Sequence, residues 1–359
     1  MGVNVVEAGS YQVKTGAVFP ELEQWIAKRN PSRVFLFMDE NTKKYCLPLL
    51  QENIPGVVKN AVPVTVMPGE QNKTPETCMY LWEQLTIRHA DRNALVINLS
   101  GGVLSDMGGF VAATYKRGIC FINIPTTLLS MVDASAGGKV GIDFRGYKNQ
   151  VGLFVDPGAV FIYPPFLNTL PEREVKSGLA EMMKHGLIAE EEYFSEVANL
   201  LKNDKLSAAF QPLIQRSVAI KQAIVSKDAK EEGLRKVLNF GHTAGHAIET
   251  WSFARQEPLL HGEAIALGMI IELLLSTRHA ALPAKKGEDA IRIIMSCFSG
   301  TVFEEQDLRQ IMSLMKQDKK NTGGKVLFAL LDDIGWPVYD VPVDEKDVYD
   351  AFKQYARFL

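Results

Sequence analysis

The sequence predicts an α/β domain followed by a mainly α-helical one, and three observations predict it. Short β-branched and aromatic runs alternate with helix-like segments through the first half. The texture changes after Pro164-Pro165 and Leu170-Pro171. From Glu172 to about Ala281, apolar and polar residues then recur at three-to-four spacing with few β-rich runs. The 359 residues suit two domains, and the boundary falls near Pro171, giving 1–171 and 172–359.

Along the chain, Arg33–Met38, Ala94–Leu99, Ile119–Ile124 and Ala159–Tyr163 read as strands, with Thr77–Ala90 and Gly109–Lys116 among the helices between them. Such alternation implies a mostly parallel sheet with helices on both faces, and ligands bind beyond the carboxyl ends of its strands. In the second half Ser177–Ala189, Pro212–Ala229, Gly241–Thr250 and Gly262–His279 read as helices, and Val326–Leu331 as a late strand. No internal repeat, low-complexity tract or flexible linker interrupts the chain, so one rigid unit with a cleft between its domains is expected.

Composition narrows the function. Hydrophobic residues make up 47% and charged residues 23%, as in folded globular proteins. A net charge of −3 provides no general field for nucleic acid or a membrane surface, and neither is expected as a partner. The longest apolar stretch, Ala264 to Leu275, carries Glu272 and is shorter than the ~20 residues of a membrane helix. The start of the chain has no basic n-region. Cys46, Cys78, Cys120 and Cys297 form no CxxC pair, which argues for a reducing, cytoplasmic setting and against a cysteine-built metal site.

Three segments could carry chemistry. Ser100–Gly109 (SGGVLSDMGG) follows a strand and opens a helix, either as a phosphate cradle or as a tight turn that lets the helix pack. It lacks G-x-G-x-x-G, and Gly138-Lys139 is followed by Val140, so neither an ordinary dinucleotide fingerprint nor a P-loop is present. Asp133–Asn149 is rich in glycine and charge. Its Lys139, Lys148 and Asn149 could converge with Arg117 on a phosphate or carboxylate, or could belong to a solvated loop.

The third segment is Lys236–Thr250 (KVLNFGHTAGHAIET). It sets His242 and His246 at i, i+4, His261 follows at a helix start, and Glu181 on an earlier helix could add a carboxylate. Imidazoles with a carboxylate suit a divalent ion, although such a histidine pair also occurs for structural reasons. Gly241, Gly245 and Gly262 sit where helices lose about 1 kcal/mol per glycine, so a close approach is expected there. On a continuous helix Glu231, Arg235, Asn239, His242 and His246 would form one polar stripe, the wall of a polar pocket, unless Gly233 interrupts it.

Seven segments in one order, SGGVLSDMGGFVAATYKRG, IPTTLLSMVDASAGGKVGID, YKNQVGLF, GLAEMMKHGLI, GLRKVLNFGHTAGHAIE, LHGEAIALGM and MKQDKKN, resemble the 3-dehydroquinate synthase family. The likeness runs from the Asp39-Glu40-Asn41 turn to the chain end. It implies a Rossmann-like, nucleotide-binding α/β domain, a mainly α-helical C-terminal domain, an active site in the interdomain cleft and a homodimer. It also implies a phosphate-eliminating lyase that uses NAD and Zn2+ or Co2+ to turn a small sugar phosphate, 3-deoxy-D-arabino-heptulosonate 7-phosphate, into 3-dehydroquinate. That is a step of the shikimate route to chorismate.

Carried over by resemblance, Glu181, His242 and His261 would hold the metal. Asp39, Asn41, Glu70, Lys73, Gly102, Val103, Asp106, Thr126, Thr127, Lys148, Phe166 and Thr169 would serve the cofactor. Arg117, Lys139, Lys148, Asn149, Lys184, Lys221, Arg235, Asn239, His246 and Lys319 would hold the substrate, with Lys320 the alternative to Lys319. Glu231 and His246 would handle protons, with Lys139 and Lys184 beside them as catalytic cations. Ser100, Ser105, Val140 and Asp143 depart from residues common in the family.

Competing readings on the same scaffold are another sugar phosphate cyclase, of the 2-deoxy-scyllo-inosose or valiolone type, or a metal-dependent polyol dehydrogenase. A non-catalytic descendant should have lost Lys139, Glu181, His242 or His261, and all four are present.

Overall fold

The structure, a computed structural model, describes residues 2–145, 147–202, 210–316 and 325–359. It divides into two compact units. The first comprises the chain up to Pro171 together with most of one helix from the second half, up to Gln222; the second comprises the remainder from Glu172 onward.

The first unit is built on a seven-stranded sheet. Its strands are β1 (Asn4–Ala8), β2 (Tyr11–Thr15), β3 (Val34–Asp39), β4 (Val62–Val66), β5 (Leu95–Ser100), β6 (Cys120–Pro125) and, after the hairpin β7 (Lys139–Phe144) and β8 (Tyr147–Phe154), β9 (Val160–Ile162). The spatial order is β1-β2-β9-β6-β5-β3-β4, parallel from β2 to β4, with β1 antiparallel at the edge. β5 is buried at all six positions, as a strand covered on both faces must be. The helices are α1 (Phe19–Arg29), the short α2 (Glu40–Tyr45), α3 (Leu47–Asn53) and α4 (Pro55–Asn60), then α5 (Pro75–Ile87) and α6 (Gly102–Thr114). Helix α6 lies close on β5: a Cβ at Gly108 would fall 2.1 Å from Asn98 Oδ1. Chain order reverses between β3 and β5, and that switch opens a crevice at their carboxyl ends.

Two expectations are revised in this unit. Much of the Gly-rich stretch Asp133–Asn149 is an antiparallel hairpin, with Ile142 opposite Val151, rather than a solvated loop. Its inner strand β7 is buried at Val140, Gly141 and Ile142, because alternate apolar residues pack on α6. The helix α9 (Phe210–Val225), from the helical half of the sequence, also belongs here up to Gln222. Lys221 Nζ lies 2.7 Å from Asp133 Oδ1, inside the same unit.

The second unit contains α7 (Glu172–Ala189), α8 (Glu191–Lys202), α10 (His242–Ser252), α11 (His261–His279), α12 (Ala284–Cys297), α13 (Glu305–Lys316) and α14 (Glu345–Tyr355). A hairpin of β10 (Val326–Asp333) and β11 (Trp336–Val343) joins them. Helix α11 is the central element, buried continuously from Ala264 to Ser276. This apolar run is thus a core helix surrounded by its neighbours. The close approaches expected at glycines are present. A Cβ at Gly262 would sit 2.0 Å from Ser177 O of α7, and one at Gly268 would sit 2.0 Å from Gly241 O.

The continuous helix that the polar stripe would require from Glu231 to His246 does not form. Glu231 has φ +61, Leu234–Asn239 is a 3-10 turn, and Gly241 (φ +79) precedes α10. The left-handed residues break the helical register, so the stripe argument fails even though its members remain near one another in sequence.

The Gly268 contact yields the first expectation. Gly268→Ala should lower stability by about 2–3 kcal/mol, a fall in Tm of roughly 5–10 °C, because the methyl group must push α10 from α11. Unchanged thermal unfolding would show that these helices do not approach so closely.

Candidate active site

The second unit assembles a carboxylate and three imidazoles from three helices. Helix α10 begins at His242 because Gly241 adopts φ +79, a conformation that suits glycine. The buried Glu272 of α11 accepts the N–H groups of Gly241 at 2.6 Å and Ala244 at 3.3 Å. That carboxylate satisfies donors left open at the helix start and complements its dipole. His242 and His246 then project one turn apart, ring centroids 5.0 Å from each other. His261, the first residue of α11, lies 5.6 Å from His242 and 5.8 Å from His246. One nitrogen from each of the three rings lies within 4.8 Å of the others.

Glu181 of α7 is fully buried, with Lys184 paired to it one turn along the same helix. Its Oε1 lies 3.5 Å from His242 Nε2 and 3.5 Å from His261 Nε2. Burial alone would raise the Glu181 carboxyl, but the Lys184 ammonium and the His261 ring hold it well below the usual carboxylate range. Burial and the Lys184 charge push His242 well below its ordinary value, so it is neutral.

The other face of each ring is fixed too. His242 Nδ1 is 3.1 Å from the Phe240 carbonyl, to which it donates as the neutral ring, leaving Nε2 a free lone pair. His261 Nδ1 is 3.3 Å from the buried Glu249 Oε2. Burial would lower His261, yet carboxylates at both of its nitrogens raise it to about 9.

These residues fit a divalent cation. Glu181 Oε1 lies 3.5 Å from each of the two Nε2 atoms, close to the ligand-to-ligand separation that bonds of about 2.0–2.2 Å give around a tetrahedral ion. Glu249 on His261 supplies the outer carboxylate that zinc-binding histidines usually have. Glu249 was not singled out in the sequence, although it lies seven residues, two turns, after His242 and on the same helical face.

In the same unit Glu231 Oε1 accepts from Asn239 Nδ2 at 2.7 Å, and the buried Arg235 donates to the Ala229 carbonyl at 2.6 Å. Asp228, also not singled out, shapes this turn by accepting the N–H groups of Glu232, Gly233 and Arg235.

In the first unit the expected cofactor residues gather along the carboxyl edge of the sheet. Asp39 ends β3 and caps α2, accepting Thr42 N at 2.8 Å, and Asn41 is exposed in that helix. Glu70 and Lys73 follow β4; Gly102, Val103 and Asp106 lie at the start of α6 after β5; Thr126 and Thr127 follow β6; Phe166 and Thr169 follow β9. Phe166 is a core side chain, so its backbone is what remains available to a ligand. Gly101 and Gly102 form a narrow cradle, where Cβ atoms would stand 3.1 Å from Thr127 Cγ2 and 3.0 Å from Ala134 Cβ. Thr126 Oγ1 is buried there without a hydrogen-bond partner among the described residues. An open helix start, a cradle closed to side chains and an unanswered hydroxyl together fit a phosphate-bearing cofactor.

The hairpin brings basic residues to this edge. Buried Lys73 donates to Asp106 Oδ2 at 2.7 Å and to Asn149 Oδ1 at 2.6 Å. Burial would lower the Lys73 ammonium, but Asp106 and Glu70 more than offset it and raise it. Lys148 Nζ is 3.5 Å from Glu70 Oε1, and Lys139 opens β7 opposite Phe154. Asn149 has φ +49, and its N–H donates to Asp143 Oδ1 at 2.7 Å.

Arg117 does not join the cluster within this chain. Asn149 reaches the first turn of α6 through Lys73 and Asp106, whereas Arg117 follows the last turn. The 13 residues of α6 hold the two ends roughly 20 Å apart. Residue chemistry suggested the grouping; within this chain the rigid helix sets Arg117 apart from Asn149. Lys319 and its alternative Lys320 lie outside the described residues.

Comparison with known proteins identifies the family. Family models described as 3-dehydroquinate synthase N-terminal and 3-dehydroquinate synthase C-terminal match residues 63–177 and 178–321. A 3-dehydroquinate synthase from Parabacteroides distasonis is 44% identical over 339 residues, covering 94% of this chain and 95% of that protein. In fold, the chain is similar to a 2-epi-5-epi-valiolone synthase from Streptomyces hygroscopicus solved with NAD+ and Zn2+ bound (TM-score 0.84, 24% identity, 100% of both chains covered). It is also similar to a 2-deoxy-scyllo-inosose synthase complexed with carbaglucose-6-phosphate, NAD+ and Co2+ (TM-score 0.83, 22% identity, 98% and 99% covered). At those identities the two structures support the α/β and helical architecture, and the sequence matches carry the assignment. The chain belongs to the 3-dehydroquinate synthase family.

Proposed function

We propose that the chain converts 3-deoxy-D-arabino-heptulosonate 7-phosphate to 3-dehydroquinate and phosphate, as an NAD- and divalent-metal-dependent lyase. The observation that carries this reading is the convergence of Glu181 Oε1 with the Nε2 atoms of His242 and His261, in a chain matched along its length by 3-dehydroquinate synthases. The reaction class combines transient oxidation of a ring hydroxyl, loss of phosphate, reduction, ring opening and intramolecular aldol closure.

Bound NAD+ would accept a hydride and return it. A bound Zn2+ or Co2+ would grip vicinal hydroxyls and polarise a carbonyl. In our reading Glu181, His242 and His261 hold the ion, with Glu249 and the Phe240 carbonyl fixing the two rings. The cradle at Gly101 and Gly102, with Val103, Thr126 and Thr127, takes the cofactor's phosphates. Asp39 and Asn41 lie toward its adenosine, Glu70, Lys73, Asp106 and Lys148 flank it, and Phe166 and Thr169 border it.

Lys139, Asn149, Lys184, Lys221, Arg235 and Asn239 bind the substrate's phosphate, carboxylate and hydroxyls, and the cations neutralise these anions without giving up protons. His246, exposed beside the two ligand histidines, carries a proton at a ring nitrogen to and from the hydroxyl being oxidised. Glu231, oriented by Asn239, is its partner in moving protons. Four free cysteines support a reducing, cytoplasmic location, and a homodimer is part of the same reading.

The direct test is phosphate release from the heptulosonate phosphate with catalytic NAD+ and a chelator control. No release, or release indifferent to the chelator and to NAD+, would overturn the reading. A carboxylate-free sugar phosphate turned over in preference would favour another cyclase.

Three variants probe the residues. His261→Ala should abolish turnover and weaken metal retention by more than the roughly 10–100-fold typical of losing an outer partner. Full activity at unchanged metal content would remove His261 from the site. Glu249→Gln should weaken metal affinity by roughly 10–100-fold while leaving the fold intact. A dissociation constant equal to that of the wild type, read by chelator competition, would make Glu249 purely structural. Lys139→Ala should lower turnover roughly 100-fold while barely moving NAD+ affinity. The opposite pattern would reassign it to the cofactor.

A further inference from the structure

Two asparagines interrupt the apolar runs of neighbouring strands in the first unit. Asn98, between Ile97 and Leu99 of β5, and Asn123, between Ile122 and Ile124 of β6, are paired in register, and both are buried. Asn98 Nδ2 donates to Asn123 Oδ1 at 2.9 Å, and Asn123 Nδ2 donates to the Ser135 carbonyl at 2.9 Å. Gly108 of α6 leaves room for the pair, since a Cβ there would strike Asn98 Oδ1.

Leucine has nearly the shape of asparagine and would fill a sheet core without desolvating an amide. Here Asn98 Oδ1 is buried without a partner among the described residues, so the pair costs stability. What it holds is the turn after β6. Ser130–Ala134 winds as one π-helical turn, a rare geometry concentrated at functional sites. The Ser135 N–H closes that turn onto the Ser130 carbonyl at 3.1 Å, and the Gly137 N–H donates to Tyr11 Oη at 2.9 Å. Within the turn the Asp133 carbonyl and Oδ1 accept the buried Lys221 ammonium at 2.6 and 2.7 Å. Ala134 forms the wall of the cradle at Gly102.

We propose that Asn123, keyed by Asn98, is a positioning residue: it fixes the π-helical turn through the Ser135 carbonyl and so sets where Asp133 presents the Lys221 ammonium. A lysine on its flexible four-carbon stem takes its place from its partner, and the partner here is carried by a turn that needs an anchor. Both amides are buried inside the sheet, so they act through Asp133 rather than on a ligand. The proposal rests on the reading of Lys221 as a substrate-binding cation and adds what holds that cation in place.

Trace labelling of the full chain with limiting acetic anhydride, read by mass spectrometry, reports on Lys221 without any turnover. Lys221 should react slowly in the wild type and faster in Asn123→Leu, by roughly the tenfold that one charge-assisted hydrogen bond contributes. Lys316 and Lys353, in the second unit, serve as references and should not change. Asn98→Leu/Asn123→Leu leaves neither amide unpaired, so it should unfold cooperatively near the wild-type temperature and still show the faster labelling.

Turnover supplies the second test. Asn123→Leu should lower kcat/KM for the heptulosonate phosphate roughly 10–100-fold. In a Lys221→Ala background the same substitution should cost less than about twofold, because the two residues act as one. Full additivity of the two substitutions would make Asn123 structural only and overturn the proposal. Unchanged Lys221 labelling in folded Asn123→Leu protein overturns it as well. A wild type that releases no phosphate defeats the functional reading instead, and the labelling still decides whether Asn123 places Lys221.

Discussion

A carboxylate without water must be met by positive charge or by donors, and in this protein that demand falls on Glu181. An isolated buried carboxylate costs several kcal/mol even after its surroundings relax. Lys184, one turn along α7, answers one oxygen, and the rings of His242 and His261 approach the other. Because the partners come from α7, α10 and α11, the three helices must meet almost backbone to backbone. Gly262 against Ser177 and Gly268 against Gly241 permit it. The apolar burial of α11 from Ala264 to Ser276 supplies the cohesion that holds such a concentration of charge.

The same logic extends one layer outward. Glu249 and Glu272 are also buried acids, and each is spent on an orienting contact: Glu249 on His261 Nδ1, Glu272 on the first N–H groups of α10. Neither would touch substrate. They set the angle of a ring and the start of a helix, which fixes where Nε2 atoms point. A site that grips a cation depends on such supports as much as on the ligands themselves.

In the first unit the organising constraint is topological. A parallel sheet whose strand order reverses between β3 and β5 leaves a crevice at the carboxyl ends, and residues scattered from Asp39 to Thr169 in sequence meet along that edge. The hairpin adds Lys148 and Asn149 to it, and Lys73 is the junction, bonded at once to α6 and to β8. Arg117 shows the reverse case. It is only eleven residues from Asp106, yet it stands at the far end of a rigid helix.

The sequence alone was enough for whatever depends on periodicity or local steric limits. The buried runs of β3, β5 and β6, the helices around the histidines, the i, i+4 pair and the need for close approach at Gly241 and Gly262 are all properties of short segments. The family likeness named Glu181, His242 and His261 together, but spacing could not show that Glu181 Oε1 faces two Nε2 atoms at equal distance, because those atoms come from three helices. The polar stripe from Glu231 required a continuous helix; Gly233 signalled a possible interruption, and Glu231 adds a left-handed φ of +61 that helical periodicity does not reveal. Packing alone decided that Glu249 would support His261, that α9 would join the first unit and that a glycine-rich, charged segment would become a hairpin, since each depends on partners distant in the chain.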